Sequence, residues 1–400
     1  MRSLRAMLAL GSVLVATNLA AQPADTLKIG YLVDASGPMQ GIFNTGLEGF
    51  RLYIDQLNAA GGINGKKVEV MVRDVQIDPA RAVSSAQELV DRGALAIVGL
   101  SLTSTHMPVY NAMGRAKVPV VTGFPANVGV VLPPARDGVY GVGLAFEITG
   151  WVGGEMARKM APQGKTFACT VFESPGGFIA CDAAMAAAKK AGFEKVEKIM
   201  FPVAQRDFRP VAEKIAELNP DVLLTIFGRG RTLTFFPAIS EAGYKGKILS
   251  MEAGTGDDEL RTASKSAPGV EVFSYARYVS GGQGSGTQVT ALEAAAKKAG
   301  VPEVLAFHSG GWVLGMTVAD ALKRCQAPCT PQGLNAALSN TKIDTGGLTQ
   351  EPIIFTKTDH YGPSAYQLYR YDRAADKMVS TGDILRASST PNHVPGAKKQ

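Results

Sequence analysis

At 400 residues the chain exceeds one ordinary hydrophobic core, so two domains or lobes are expected. Hydrophobic residues at 46% and charged residues at 19% exclude a disordered chain. The formal charge of +6 is dispersed in short pairs such as KK, which argues against a nucleic-acid partner. The first stretch, MRSLRAMLALGSVLVATNLAAQPA, sets Arg2 and Arg5 before an apolar run from Ala6 to Ala16, followed by small residues. That layout predicts a secretory signal over residues 1–24, cleaved between Ala20 and Ala24. The apolar run is shorter than the roughly 20 residues a membrane span needs. No cysteine stands near the cleavage region to take a lipid, and no later segment is apolar for long enough to span. The mature chain is expected to be soluble and exported.

From Leu27, short β-rich runs alternate with amphipathic stretches. LKIGYLV predicts a strand and TGLEGFRLYIDQLNAA a helix, stopped by Gly61 and Gly62. KKVEVMVRD is the next strand. DPARAVSSAQELVDRG then reads as a helix with Asp78 as N-cap, Pro79 at its first position and Gly93 at its exit. ALAIVGL, STHMPVYNAMGRAK and VPVVTGF give strand, helix, strand, a βα series that calls for a parallel sheet covered on both faces. Near residue 144 the rhythm restarts. EITGWVGGEMARKMA, KTFACTVFE and FIACDAAMAAAKKAG read as helix, strand and helix. EKVEKIMF and DVLLTIF are strands around the helix FRPVAEKIAEL, and RTLTFFPAISEAG and KGKILSM add a helix and a strand. GVEVFSYARYV, helices over 287–299 and 303–323, and a strand-rich end around SAYQLYRYD follow, and TPNHVPGAKKQ reads as a loose tail. The fold class is α/β: two doubly wound parallel-sheet lobes with a cleft between them.

Residues for catalysis are sparse. The histidines His106, His308, His360 and His393 have no partner at metal-ligand spacing. No GxSxG elbow or GxxxxGK[ST] loop is present. No enzyme activity, metal or cofactor is expected. His106 opens a helix after a strand, which suits a capping or surface histidine, or one lining a cleft. YVSGGQGSGTQV spaces Gly282, Gly284 and Gly286 as GxGxG, which reads as a flexible connection rather than a nucleotide loop. In an oxidising compartment Cys325 and Cys329 are candidates for one disulfide, and Cys169 and Cys181 for another. LTIFGRGRTLTFF leaves two readings open. Arg229 and Arg231 either grip an anionic ligand through their planar donor forks or are solvated loop residues.

The order IGYLVDASGPMQG, LNAAGGINGKKVEVMVRDVQIDPARAV, AIVGLSLTSTHMPV, VPVVTGF resembles type I periplasmic solute-binding proteins, closest to the leucine/isoleucine/valine-binding group. The resemblance runs from about Leu27 to Tyr366. It implies two α/β lobes joined by a three-strand hinge: residues 25–143 plus 276–357, and 144–275 plus 358–386, with 387–400 as tail. It also implies a monomer that closes on an amino acid or related carboxylate and delivers it to an inner-membrane ABC permease. The same fold serves sensing modules that feed a membrane receptor. By that resemblance Ile42 or Phe43 meets the ligand side chain, while Thr103, with Ser104 and Thr105 alongside, offers a hydroxyl to its carboxylate. Phe124 and Ala126 offer backbone groups, and Glu252 matches the glutamate that grips an ammonium. Phe178 lies about one residue from a family aromatic. Gly230, between Arg229 and Arg231, replaces a second one, a departure that points toward an acidic or aromatic carboxylate.

Overall fold

Apolar spacing sets the elements, and it does so twice along the chain. The structure is a computed structural model describing residues 26–37, 40–100, 102–123, 128–227, 230–251 and 257–387. The expected signal segment, Phe124, Ala126, Arg229, Glu252, His393 and residues 388–400 lie outside the described residues. The first series runs β1 (Leu27–Val33), α1 (Gln40–Ala59), β2 (Val68–Asp74), α2 (Pro79–Asp91), β3 (Ile97–Gly99), α3 (Thr103–Ala116), β4 (Val120–Thr122) and β5 (Val139–Gly141). Its strands form a parallel sheet in the order β2-β1-β3-β4-β5. Phe43, Leu47, Phe50 and Ile54 recur at helical spacing along α1 and are buried. The Asp78 carboxylate accepts from the Ala80 and Arg81 amides, which starts α2 where the sequence places it.

The second series runs α4 (Phe146–Met160), β6 (Thr166–Phe172), α5 (Pro175–Lys190), β7 (Lys195–Phe201), α6 (Arg209–Leu218), β8 (Val222–Ile226), α7 (Thr232–Glu241), β9 (Lys247–Met251), α8 (Asp257–Lys265) and β10 (Glu271–Ala276). The chain continues with α9 (Thr287–Ala299), α10 (Ala306–Arg324), α11 (Pro331–Leu338), β11 (Lys342–Ile343), β12 (Ile353–Ile354), β13 (Ala365–Asp372) and β14 (Lys377–Arg386). The second sheet has the order β14-β13-β10-β9-β8-β6-β7, with its first two strands antiparallel additions to a parallel core. Two lobes result. The sequence reading missed α8 and α11 and started α5 late, because it overlooked the Ser174 hydroxyl that caps α5 by accepting from the Gly177 amide. Cys169 of β6 is bonded to Cys181 of α5, and Cys325 to Cys329 just after α10.

The chain passes between the sheets three times: from Gly141 to Phe146, after Ala276, and before Ala365. These crossings are laced together. The Gly141 amide donates to the His360 carbonyl at 2.9 Å, and the Gly362 amide to the Gly141 carbonyl at 3.1 Å. Buried His360 stacks on Tyr140 with ring centres 4.3 Å apart. Burial holds its imidazole below the ordinary value despite backbone bonds that pull the other way.

Close backbone approach recurs where helices and crossings pack. A Cβ on Gly311 of α10 would sit 2.0 Å from the Gly46 carbonyl oxygen of α1, and one on Gly143 would lie 1.1 Å from the Gly123 carbonyl oxygen. Only a residue without a side chain fits either place. Gly143→Ala and Gly311→Ala are each expected to cost at least the roughly 1–3 kcal/mol of core overpacking, read as a lower urea midpoint. Gly269→Ala, whose added carbon meets nothing within 4 Å, is the control and should unfold like the parent. The depressed His360 pKa has a definite sign: the unfolded chain takes up its proton first, so stability falls as pH drops below about 6.5. His360→Asn should remove that part of the loss between pH 7 and 5. An unchanged slope in the variant would show that other groups carry it.

Candidate functional site

Open parallel α/β sheets place ligands beyond the carboxyl ends of their strands. At that edge of the first sheet stand Gly99, Gly123 and Gly143, and Gly46 of α1 with Gly310 and Gly311 of α10 face the same space. The missing side chains leave a pocket of about 50 Å³ at this edge. Its wall is apolar. Ile42 and Phe43 come from the first turn of α1, Phe307 and Leu314 from α10, Leu100 follows β3, and Leu144 lies on the first crossing. Tyr31 of β1 and Tyr278 of the second crossing add rings, and burial holds the Tyr31 phenol above its usual pKa.

Among the described residues Arg277 is the one charged side chain lining this pocket. It follows β10 on the second crossing and is only 2% exposed. Its Nη1 donates to the Gly143 carbonyl on the first crossing and, at 3.1 Å, to the Tyr361 hydroxyl on the third. The guanidinium lies 5.3 Å from the Tyr278 ring centre and 5.6 Å from that of Tyr366, within range of cation–π attraction. The Tyr278 hydroxyl donates to the Val142 carbonyl. One cation therefore touches all three crossings and lines an apolar pocket.

Of the candidates read from sequence, the structure brings Ile42 and Phe43 into this pocket. Thr103, Ser104 and Thr105 open α3 and do not line it; the buried Thr105 hydroxyl donates to the Leu102 carbonyl at 2.8 Å. Phe178 packs on the second-lobe core, with the Lys198 ammonium 5.6 Å from its ring centre. The Gly230 amide donates to both carboxylate oxygens of buried Glu259, at 2.9 and 2.8 Å, so a residue of the chain itself supplies an anion just before α7. Arg231 lies 4.9 Å over the Phe172 ring and donates to the Val203 carbonyl at 2.8 Å. Its pKa is lowered by burial, with Arg206 adding to the effect.

The expectation of a capping, surface or cleft-lining His106 is corrected. The residue is fully buried and its Nδ1 lies 3.2 Å from the Tyr110 hydroxyl one turn on. His308 is also buried, accepting from the Leu305 amide and meeting Glu48 at 3.0 Å. Sequence reasoning missed Arg277, Tyr31, Leu144 and Phe307. Arg277 stands inside GVEVFSYARYV, which reads as a single strand, and no local pattern marks the point where β10 ends. Among the described residues no group of three or more His, Cys, Asp or Glu is placed to hold a metal, and no helix is long and apolar enough to cross a membrane.

Comparison with known proteins agrees with this architecture. Residues 26–377 match the family described as periplasmic binding protein. Leu/Ile/Val-binding protein homolog 6 of Brucella melitensis is 31% identical over 306 residues, covering 74% of this chain and 75% of the relative. The fatty acid ABC transporter substrate-binding protein from Thermomonospora curvata superposes with a TM-score of 0.78 at 21% identity, covering 94% of this chain and 96% of that one. An R. palustris ABC transporter solute-binding protein in complex with 4-hydroxybenzoate gives a TM-score of 0.75 at 20% identity, covering 91% and 98%. The chain belongs to the periplasmic binding protein family, and its relatives include Leu/Ile/Val-binding protein homologs.

Proposed function

We propose that this protein captures a small carboxylate with an apolar body in the periplasm and presents it to an inner-membrane ABC permease. The observation that carries the ligand class is the pocket: an apolar wall from α1 and α10 with one buried cation at the crossings. The lobes are taken as residues 25–143 plus 276–357 and 144–275 plus 358–386, closing about the three crossings, with ligand shifting the open–closed balance. Relatives whose names or structures carry a fatty acid or 4-hydroxybenzoate support an acid with an apolar body. A branched-chain amino acid is the second reading, favoured by the Leu/Ile/Val-binding name of the Brucella melitensis relative. The amino-acid reading leans on Glu252, which lies outside the described residues.

Leucine and 4-methylpentanoate share one apolar body and differ by the ammonium group, so they separate the two readings. In a thermal-shift panel with these two, benzoate and succinate, 4-methylpentanoate or benzoate is expected to stabilise the protein and leucine to do so less. A ligand at a hundred times its Kd adds about 2.7 kcal/mol of apparent stability. A shift with leucine alone would establish the amino-acid reading instead.

A further inference from the structure

We propose that His308 is a positioning residue for the ligand: with Glu48 it bridges the start of α10 to α1, and through that bridge it holds Ala306 and Phe307 in the pocket wall. The inference rests on reading this pocket as the solute site. Neither His308 nor Glu48 lines the pocket, so the effect is indirect. The Leu305 amide donates to Nδ1 of His308 at 2.9 Å. That amide is among the donors a helix leaves unmatched at its start, and the imidazole supplies its acceptor. Because an amide can only donate, Nδ1 carries no proton, and the proton of the neutral ring sits on Nε2. Nε2 therefore donates to the Glu48 carboxylate of α1, 3.0 Å away. A hydrogen bond to a carboxylate is roughly twice as strong as a neutral one.

Ala306 and Phe307, which both line the pocket, stand between the bonded positions Leu305 and His308. The ring closed by that bond fixes the backbone that carries them. Glycines bring the helices together here, since a Cβ on Gly49 would sit 2.1 Å from the His308 carbonyl oxygen. A glycine permits close approach but has no side chain to give the contact a direction. The bond to Glu48 supplies the direction and sets how α10 is turned toward α1. From the other side the Ser309 hydroxyl donates to the Val279 carbonyl of the second crossing at 2.6 Å. The first turn of α10 is thus held between α1 and the second crossing.

The Glu48 side chain is half-exposed, so its variants are expected to fold. Glu48→Ala removes the acceptor, whereas Glu48→Gln keeps one for the Nε2 proton. The probes are 4-methylpentanoate and benzoate, titrated calorimetrically into the full chain, beside a urea midpoint for the unliganded protein. Glu48→Ala should weaken binding of the tighter probe about five- to tenfold, the scale of one hydrogen bond. Glu48→Gln should recover binding to within about threefold of the parent. A role confined to stability would lower the urea midpoint of Glu48→Ala and leave the affinity of the folded protein unchanged. Nitrogen-15 NMR of histidine-labelled parent protein reads the same bridge without a substitution. At neutral pH His308 should show the tautomer with its proton on Nε2. Affinity in Glu48→Ala within about twofold of the parent, no recovery in Glu48→Gln, or a proton on Nδ1 overturns the inference while leaving the pocket as the site. If the parent binds neither probe, the small-carboxylate reading of the pocket falls, and the inference with it.

Discussion

The fold turns on a guanidinium buried where three strands pass between two sheets. Arg277 donates to the Gly143 carbonyl and the Tyr361 hydroxyl, and it lies near the rings of Tyr278 and Tyr366. Removing a cation from water is costly unless hydrogen bonds and polarisable faces replace its hydration. Those replacements come from segments far apart in sequence, so they exist only when the crossings are assembled. A group that holds the crossings together thereby also lines an apolar pocket.

That hollow follows from close packing elsewhere. α1 and α10 approach so closely that a Cβ on Gly49 would sit 2.1 Å from the His308 carbonyl oxygen, and one on Gly311 2.0 Å from that of Gly46. The same approach brings Ile42 and Phe43 opposite Phe307 and Leu314, so the helices wall the pocket where they meet. Gly143 packs its backbone on Gly123 and offers its carbonyl to Arg277. Glycines that permit the packing therefore shape the pocket as well. The second lobe repeats the device between α4 and α5, where a Cβ on Gly154 would lie 2.2 Å from the Ala184 carbonyl oxygen.

Much of the fold was legible because its signals are local. Alternating apolar runs, the Asp78 cap followed by Pro79, and the restart near residue 144 rest on spacings of a few residues. Two wall residues, Ile42 and Phe43, came into view through the resemblance around SGPMQGIF. Arg277 did not, because its importance depends on Gly143 and Tyr361, distant in sequence, and its neighbours read as strand. Arg231 shows the reverse. Its glycine-flanked setting drew the eye, yet its guanidinium lies over Phe172 and bonds to Val203, while Glu259 holds the neighbouring Gly230 amide. His106 had a readable clue in the one-turn spacing to Tyr110, a buried pair rather than a surface histidine.

The central claim is that ligand binding is felt at the crossings. Amide hydrogen exchange with and without 4-methylpentanoate or benzoate, whichever binds more tightly, tests it most directly. The account predicts added protection in peptides spanning 141–145, 276–279 and 360–364 together, alongside the first turns of α1 and α10. Protection confined to the second lobe around Gly230 and Glu259, with the crossings unchanged, would contradict it.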